Sequence, residues 1–177
     1  MKQYTCSFTG HRPFKLPYGF EEDHPDCVRL KLMLGMEIES LFFKGYDTFL
    51  CGMCWGADIW CAECVLEMRR AFPMSRIRLR AVLPFEEHHK GWTSDYQERY
   101  FNILSQADAC LTVSPSYWTG VYQQRNKYMI DRSDCLLAVW DGQPGGTRNA
   151  VEYAKRKGLE VIVFDPVGMR RERTGGG

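Results

Sequence analysis

A single α/β domain built on an open parallel sheet, with helices on both faces, is the fold this sequence predicts. Three observations carry the prediction. Short apolar runs alternate along the chain with longer segments of helical period. The runs are too continuously apolar to leave one face of a strand in water. The 177 residues, 45% hydrophobic and 25% charged, have the make-up of one ordinary globular domain.

The strand candidates are Tyr4–Phe8, Thr48–Cys51, Ile77–Leu83, Ala109–Val113, Cys135–Trp140 and Glu160–Phe164. Between them lie five helical segments. Pro25–Phe43 is stopped by Gly45, and Ala57–Ala71 ends before Pro73. Trp92–Gln106 puts Trp92, Tyr96, Tyr100 and Ile103 on one face; Val121–Arg132 and Thr147–Lys157 follow, the last stopped at Gly158. Repeated strand–helix–strand units close through right-handed crossovers, which sets the strands parallel. The domain is expected to span residues 1–168, with the charged, glycine-rich segment Met169–Gly177 as a flexible tail.

Composition excludes several functions. Lys and Arg number 23 against 22 acidic residues, a net charge of +1, which argues against bulk attraction to nucleic acid or an anionic membrane. The apolar run Cys135–Trp140 is far below the roughly 20 residues that span a bilayer. The turn at Gly10-His11-Arg12 arrives too early for a signal-peptide core, so a cytoplasmic protein is expected. The eight cysteines are then reduced thiols, mostly small buried side chains. Cys51-x-x-Cys54 and Cys61-x-x-Cys64 have the look of a zinc site, but only six residues separate the pairs. Helical spacing also turns Cys61 and Cys64 toward the core with Val65, Met68 and Phe72. No metal and no cofactor are therefore expected.

In open parallel sheets ligands sit at the carboxyl ends of strands, and the unusual residues of this chain fall there. Gly52-x-x-x-Gly56-x-Asp58 joins a strand to a helix, where glycines admit an anion close to free N–H groups. Gly145-Gly146-Thr147 opens another helix and suits a second phosphate or a ribose. Gly10-His11-Arg12 adds a permanent cation and an imidazole. Arg125 and Asn126 bring charge and amide to the start of a further helix, with Asp131 free to pair with Arg132 or cap the next element. Tyr117, Trp118 and Tyr122 are candidates for stacking a base.

Four strings together resemble the YpsA-like family of the SLOG superfamily. They are Phe8-Thr9-Gly10-His11-Arg12-Pro13, the Cys51–Glu63 glycine loop, Arg125-Asn126-x-Tyr128-Met129-x-Asp131-Arg132-Ser133-Asp134, and Pro144-Gly145-Gly146-Thr147. The resemblance runs from about Tyr4 to Pro166 and implies a Rossmann-like sheet with a site for a nucleotide or nucleotide derivative. Members of the family typically lack the paired cysteines of the second loop, so Cys51 and Cys54 are substitutions within the pattern. Superfamily relatives include LOG-type phosphoribohydrolases, which cleave nucleoside monophosphates, and the single-stranded DNA binder DNA-processing protein A. The phosphoribohydrolase motif places its acid three residues after the threonine; here Glu152 follows Thr147 by five, which rotates it away on a helix.

The expected function is binding of a nucleotide or nucleotide derivative by Gly10, His11, Arg12, Gly52, Gly56, Asp58, Arg125, Asn126, Gly145, Gly146 and Thr147. In that reading phosphate lies on the Gly52–Asp58 and Gly145–Thr147 loops, with Arg12 as counter-charge. The enzymatic alternative is N-glycosidic hydrolysis with Asp58 or Glu152 as the acid. A single-stranded DNA binder is the third class, disfavoured by the near-neutral charge. Nothing in the sequence marks an oligomer interface apart from the core, so homo-oligomerisation stays open.

Overall fold

The computed structural model describes residues 3–175. Seven strands and five helices follow one another as β1 (Tyr4–Gly10), α1 (Pro25–Phe43), β2 (Tyr46–Cys51), α2 (Ala57–Ala71), β3 (Arg78–Phe85), α3 (Ser94–Gln106), β4 (Ala109–Ser114), α4 (Val121–Ile130), β5 (Cys135–Val139), α5 (Gly146–Arg156), β6 (Glu160–Asp165) and β7 (Arg170–Thr174). The sheet order is β4-β3-β2-β1-β5-β6-β7. The first six strands run parallel in a Rossmann-like arrangement, so the α/β fold is as the sequence predicts.

The order fixes where a ligand site belongs. The chain steps outward from β1 to β4, then returns to β5 on the other side of β1 and steps outward again to β6 and β7. The direction reverses between β1 and β5, and the loops leaving those two strands diverge to leave a crevice. α1, α2 and α3 pack together on one face of the sheet, and α4 with α5 on the other. β1 is buried from Cys6 to Thr9, and its Phe8 ring stacks on Phe49 of β2 in the main core.

Two expectations are corrected. The segment Arg170–Thr174 is a seventh strand, antiparallel to β6, and not a frayed tail. Val167 N–H bonds Asp165 Oδ1 at 2.9 Å to turn the chain, Arg171 grips Glu37 of α1 through two hydrogen bonds of 2.6 and 2.9 Å, and Arg173 pairs with Glu160. A strand so charged reads as solvated tail, yet edge strands commonly carry charge because it blocks further pairing. β4, in contrast, is apolar but stands at the opposite edge with Leu111 41% exposed, because no strand lies beyond it.

The crevice requires close packing at β1's end. A Cβ on Gly10 would lie 2.5 Å from Ala57 Cβ at the start of α2, whereas a Cβ on Gly146 meets nothing within 4 Å. Gly10→Ala is therefore expected to lower stability by about 1–3 kcal/mol, and Gly146→Ala to change it by less than about 0.5 kcal/mol. Thermal or urea unfolding of the two variants checks the contrast; equal effects would mean that β1 and α2 are not in contact there.

Candidate functional site

A cleft of about 260 Å³ opens at the β1/β5 crevice. It gathers Gly10, His11, Arg12, Asp58, Arg125, Asn126, Gly146 and Thr147, which the sequence singled out from four separate loops. Its positive side is built from Arg12, Lys15 and the start of α5. The α5 N-cap is Gly145, at φ +147°, with no side chain capping the first turn. The leading N–H groups of α5 are thus left to the cleft, as a helix N-terminus leaves them wherever no cap intervenes. Lys15 lies close by: a Cβ on Gly145 would be 2.9 Å from Lys15 Nζ. Arg12 lies over the Tyr122 ring, 4.7 Å from its centroid. Neither Arg12 nor Lys15 has an ion-pair partner among the described residues.

The other predicted phosphate loop is differently employed. Gly52 and Gly56 do not line the cleft. A side chain on Gly52 would run into the Arg125 guanidinium, and a Cβ on Gly56 would lie 2.8 Å from the His11 carbonyl oxygen. These glycines admit protein groups, not an anion. The backbone after β1 covers the start of α2, whose Ala57 N–H reaches His11 O at 3.5 Å.

Beneath the cleft, Arg125 is 4% exposed. It donates to the Gly52 carbonyl, to Asn126 Oδ1 at 2.8 Å and to Cys54 Sγ at 3.6 Å. Asp58 accepts from the Cys54 N–H at 3.2 Å. Burial pushes the Asp58 carboxyl up to about 7, against the pull of Arg125. His11 is 3% exposed, with Nε2 at 2.7 Å from Asp141 Oδ1, and its buried Nδ1 has no partner. Burial works against ionised Asp141, but His11 and the Gln143 N–H hold its carboxyl below the usual range.

Glu152 stands apart. It is half-buried, accepts from Arg148 Nε at 2.7 Å and lines a second groove between α4 and α5, which meets the cleft only at Asn126. Tyr117 packs edge-on against Phe85, and neither it nor Trp118 reaches the cleft; Tyr122 does, beneath Arg12. Asp131 pairs with Lys157 at 3.0 Å and accepts from Tyr153 at 2.8 Å, instead of pairing with Arg132. Phe14, 58% exposed, and Lys15 line the cleft without having been read from sequence. Their signal was position alone, directly after the Gly-His-Arg-Pro turn. Cys51 lies beneath the loop with its thiol on Asp58 O at 3.3 Å, and Cys61 is in the core. Among the described residues no three His, Cys, Asp or Glu side chains are grouped to hold a metal ion, and no helix is long and apolar enough to cross a membrane.

The profile of the YspA SLOG family matches residues 6–163. The chain belongs to this family. UPF0398 proteins of Bacillus thuringiensis (strain Al Hakam) and Bacillus cereus (strain Q1) are each 33% identical to it over 153 residues, covering 85% of this chain and 82% of theirs. Among solved structures, DNA processing protein A from Helicobacter pylori is similar with a TM-score of 0.59 and 16% identity over 90% of this chain. The Streptococcus pneumoniae protein of that name gives 0.57 and 11% over 91%. The chain spans 64% and 50% of those two chains, and at such identities the likeness is one of fold.

Two buried groups give this SLOG domain opposite pH dependences. Asp58 is raised from 3.8 to about 7, so its contribution to stability is fully present below the unfolded value and is lost as pH rises through 7. Asp58→Asn is expected to gain stability relative to the wild type as pH rises from about 4 to about 7, and to keep that gain above it. His88, 5% exposed among Phe85, Trp92 and Tyr100, is lowered by burial from 6.5 to about 3. It favours the fold while neutral, and that contribution is lost as pH falls from 6.5 toward 3. His88→Phe is expected to flatten the acid limb alone. Melting temperatures across pH test both, and a pH-independent offset in either variant would refute its assignment.

Proposed function

We propose that this protein binds a nucleotide or nucleotide derivative in the β1/β5 cleft. The observation that carries the reading is the uncapped start of α5 facing two unpaired cations, Arg12 and Lys15. Backbone N–H groups, a partial positive helix end and a guanidinium able to form two parallel hydrogen bonds together suit a phosphate. Phosphate is accordingly placed on Gly145–Thr147, Arg12 and Lys15, and not on the Gly52–Asp58 loop. Asn126 and Asp58 supply polar contacts deeper in the cleft, His11 offers its unpartnered Nδ1, and the open face of Phe14 suits a planar base.

Two other chemistries are kept as outcomes. N-glycosidic hydrolysis would draw on Asp58, whose raised carboxyl suits an acid working near neutrality, with Glu152 excluded by its separate groove. Single-stranded DNA binding is suggested by the fold likeness to the Helicobacter pylori protein, which binds single-stranded DNA; the net charge of +1 argues against it.

A thermal-shift panel of AMP, ADP, ATP, cyclic nucleotides, NAD and ADP-ribose tests the reading. A ligand at 100 times its Kd adds about 2.7 kcal/mol of stability. At least one nucleotide is expected to raise the wild-type Tm, and Arg12→Ala to abolish the rise while staying folded. Undiminished binding by Arg12→Ala would put the site elsewhere. Release of free base from AMP, lost in Asp58→Asn, would establish hydrolysis. Salt-sensitive retardation of single-stranded DNA, with a flat nucleotide panel, would replace the reading with nucleic-acid binding.

A further inference from the structure

Arg125 raises a question of charge balance. Its guanidinium is 4% exposed, yet no carboxylate lies within ion-pairing distance of it among the described residues. Two of its hydrogen-bond partners, the Gly52 carbonyl and the Asn126 carboxamide, are permanently neutral. The third is Cys54 Sγ, 3.6 Å from Nη2. A partly accessible sulfur held against a guanidinium is in the electropositive setting where reactive thiols are found. Cys54 is 6% exposed and lines the cleft, just ahead of the N-terminus of α2. His11 lines the same cleft with its Nδ1 buried and unpartnered, so the thiol shares a space that holds a polar atom for a guest.

We infer that Cys54 is an oxidisable thiol inside the cleft, with small hydroperoxides as its co-reactant, and that its sulfenic acid takes up space the ligand needs. The second half rests on the ligand reading above. In the reaction the sulfur attacks one peroxide oxygen, and an S–O bond forms as the O–O bond breaks. Sulfur is oxidised and the peroxide reduced. The thiol proton ends on the departing oxygen, which leaves as water when the oxidant is hydrogen peroxide. Arg125 stabilises the sulfur during attack and is positioned to bond the new oxygen.

The other thiols provide the comparison. Cys6, Cys51 and Cys61 are buried, and burial pushes their thiols up. Cys110 is exposed on edge strand β4, and burial alone acts on it, with no cation contributing. Accessibility therefore favours Cys110, and chemistry favours Cys54.

The whole protein is treated with hydrogen peroxide and dimedone, and labelled cysteines are ranked by peptide mass spectrometry, with and without AMP. Cys54 is expected to label ahead of Cys110 by on the order of tenfold, and AMP to slow Cys54 alone. Labelling of Cys110 first overturns the inference, as does labelling of Cys54 only together with core Cys61, which would mean general unfolding. The ranking needs no nucleotide and so stands or falls apart from the ligand reading. Cys54 labelling first at a rate that AMP leaves unchanged would overturn the shared-space half alone, and calorimetry with AMP then reports whether a nucleotide site exists elsewhere.

Discussion

Arg125 reaches from α4 under the loop that follows β2, and the interior of the cleft is arranged around its guanidinium. Gly52 lacks a side chain because the guanidinium occupies that space, and the Gly52 carbonyl accepts one of its N–H groups. Asn126 turns its oxygen inward to accept another at 2.8 Å, which leaves its amide N–H groups facing outward between the cleft and the α4–α5 groove. The contact joins α4, on one face of the sheet, to the loop leading into α2, on the other. Truncating Arg125 would leave the Gly52 carbonyl and the Asn126 oxygen without a donor, at about 1–3 kcal/mol for each buried group left unsatisfied. Here it would also release the two sides of the crevice from each other.

The same burial sets the electrostatics. Water that would solvate the Asp58 carboxylate is excluded, and this desolvation holds its carboxyl up at about 7 in spite of Arg125. Behind the cleft wall, His11 Nε2 sits 2.7 Å from Asp141 Oδ1. The cleft itself thus contains one carboxyl poised to change charge near neutrality. A guest with negative charge meets its weakest opposition while Asp58 is neutral.

Much of this was legible in the sequence, for a physical reason. Buried parallel strands are largely apolar, so β1, β2, β3, β5 and β6 announce themselves, as does the apolar run of exposed edge strand β4, and topology then places their carboxyl ends on one rim. The residues that meet in the cleft were found because they sit in those loops. What stayed hidden depends on side-chain trajectories. Gly52 and Gly56 carry the pattern of an anion cradle, and only the path of Arg125 and of the His11 backbone shows that protein fills both spaces. β7 was lost because its stabilising partners, Glu37 and Glu160, are distant in sequence, and a run of arginines without them reads as solvated. Phe14 and Lys15 are ordinary residues that the short helical turn Pro13–Lys15 places beside the cleft.

The net charge of +1 conceals how charge is distributed. Arg99 is bound by Glu22 and Glu63, Arg171 by Glu37, Lys157 by Asp131 and Arg148 by Glu152, all outside the cleft. In each of these pairs the charges offset one another locally. Inside the crevice the balance differs: among the described residues Arg12 and Lys15 stand without carboxylate partners, Arg125 lies beneath them, and the start of α5 adds its N–H groups, against an Asp58 that is largely neutral below about pH 7. The net charge of +1 is therefore silent about the cleft: what a guest meets there is set by which cations lack partners within about 260 Å³, and the proposed phosphate reading rests on that local excess.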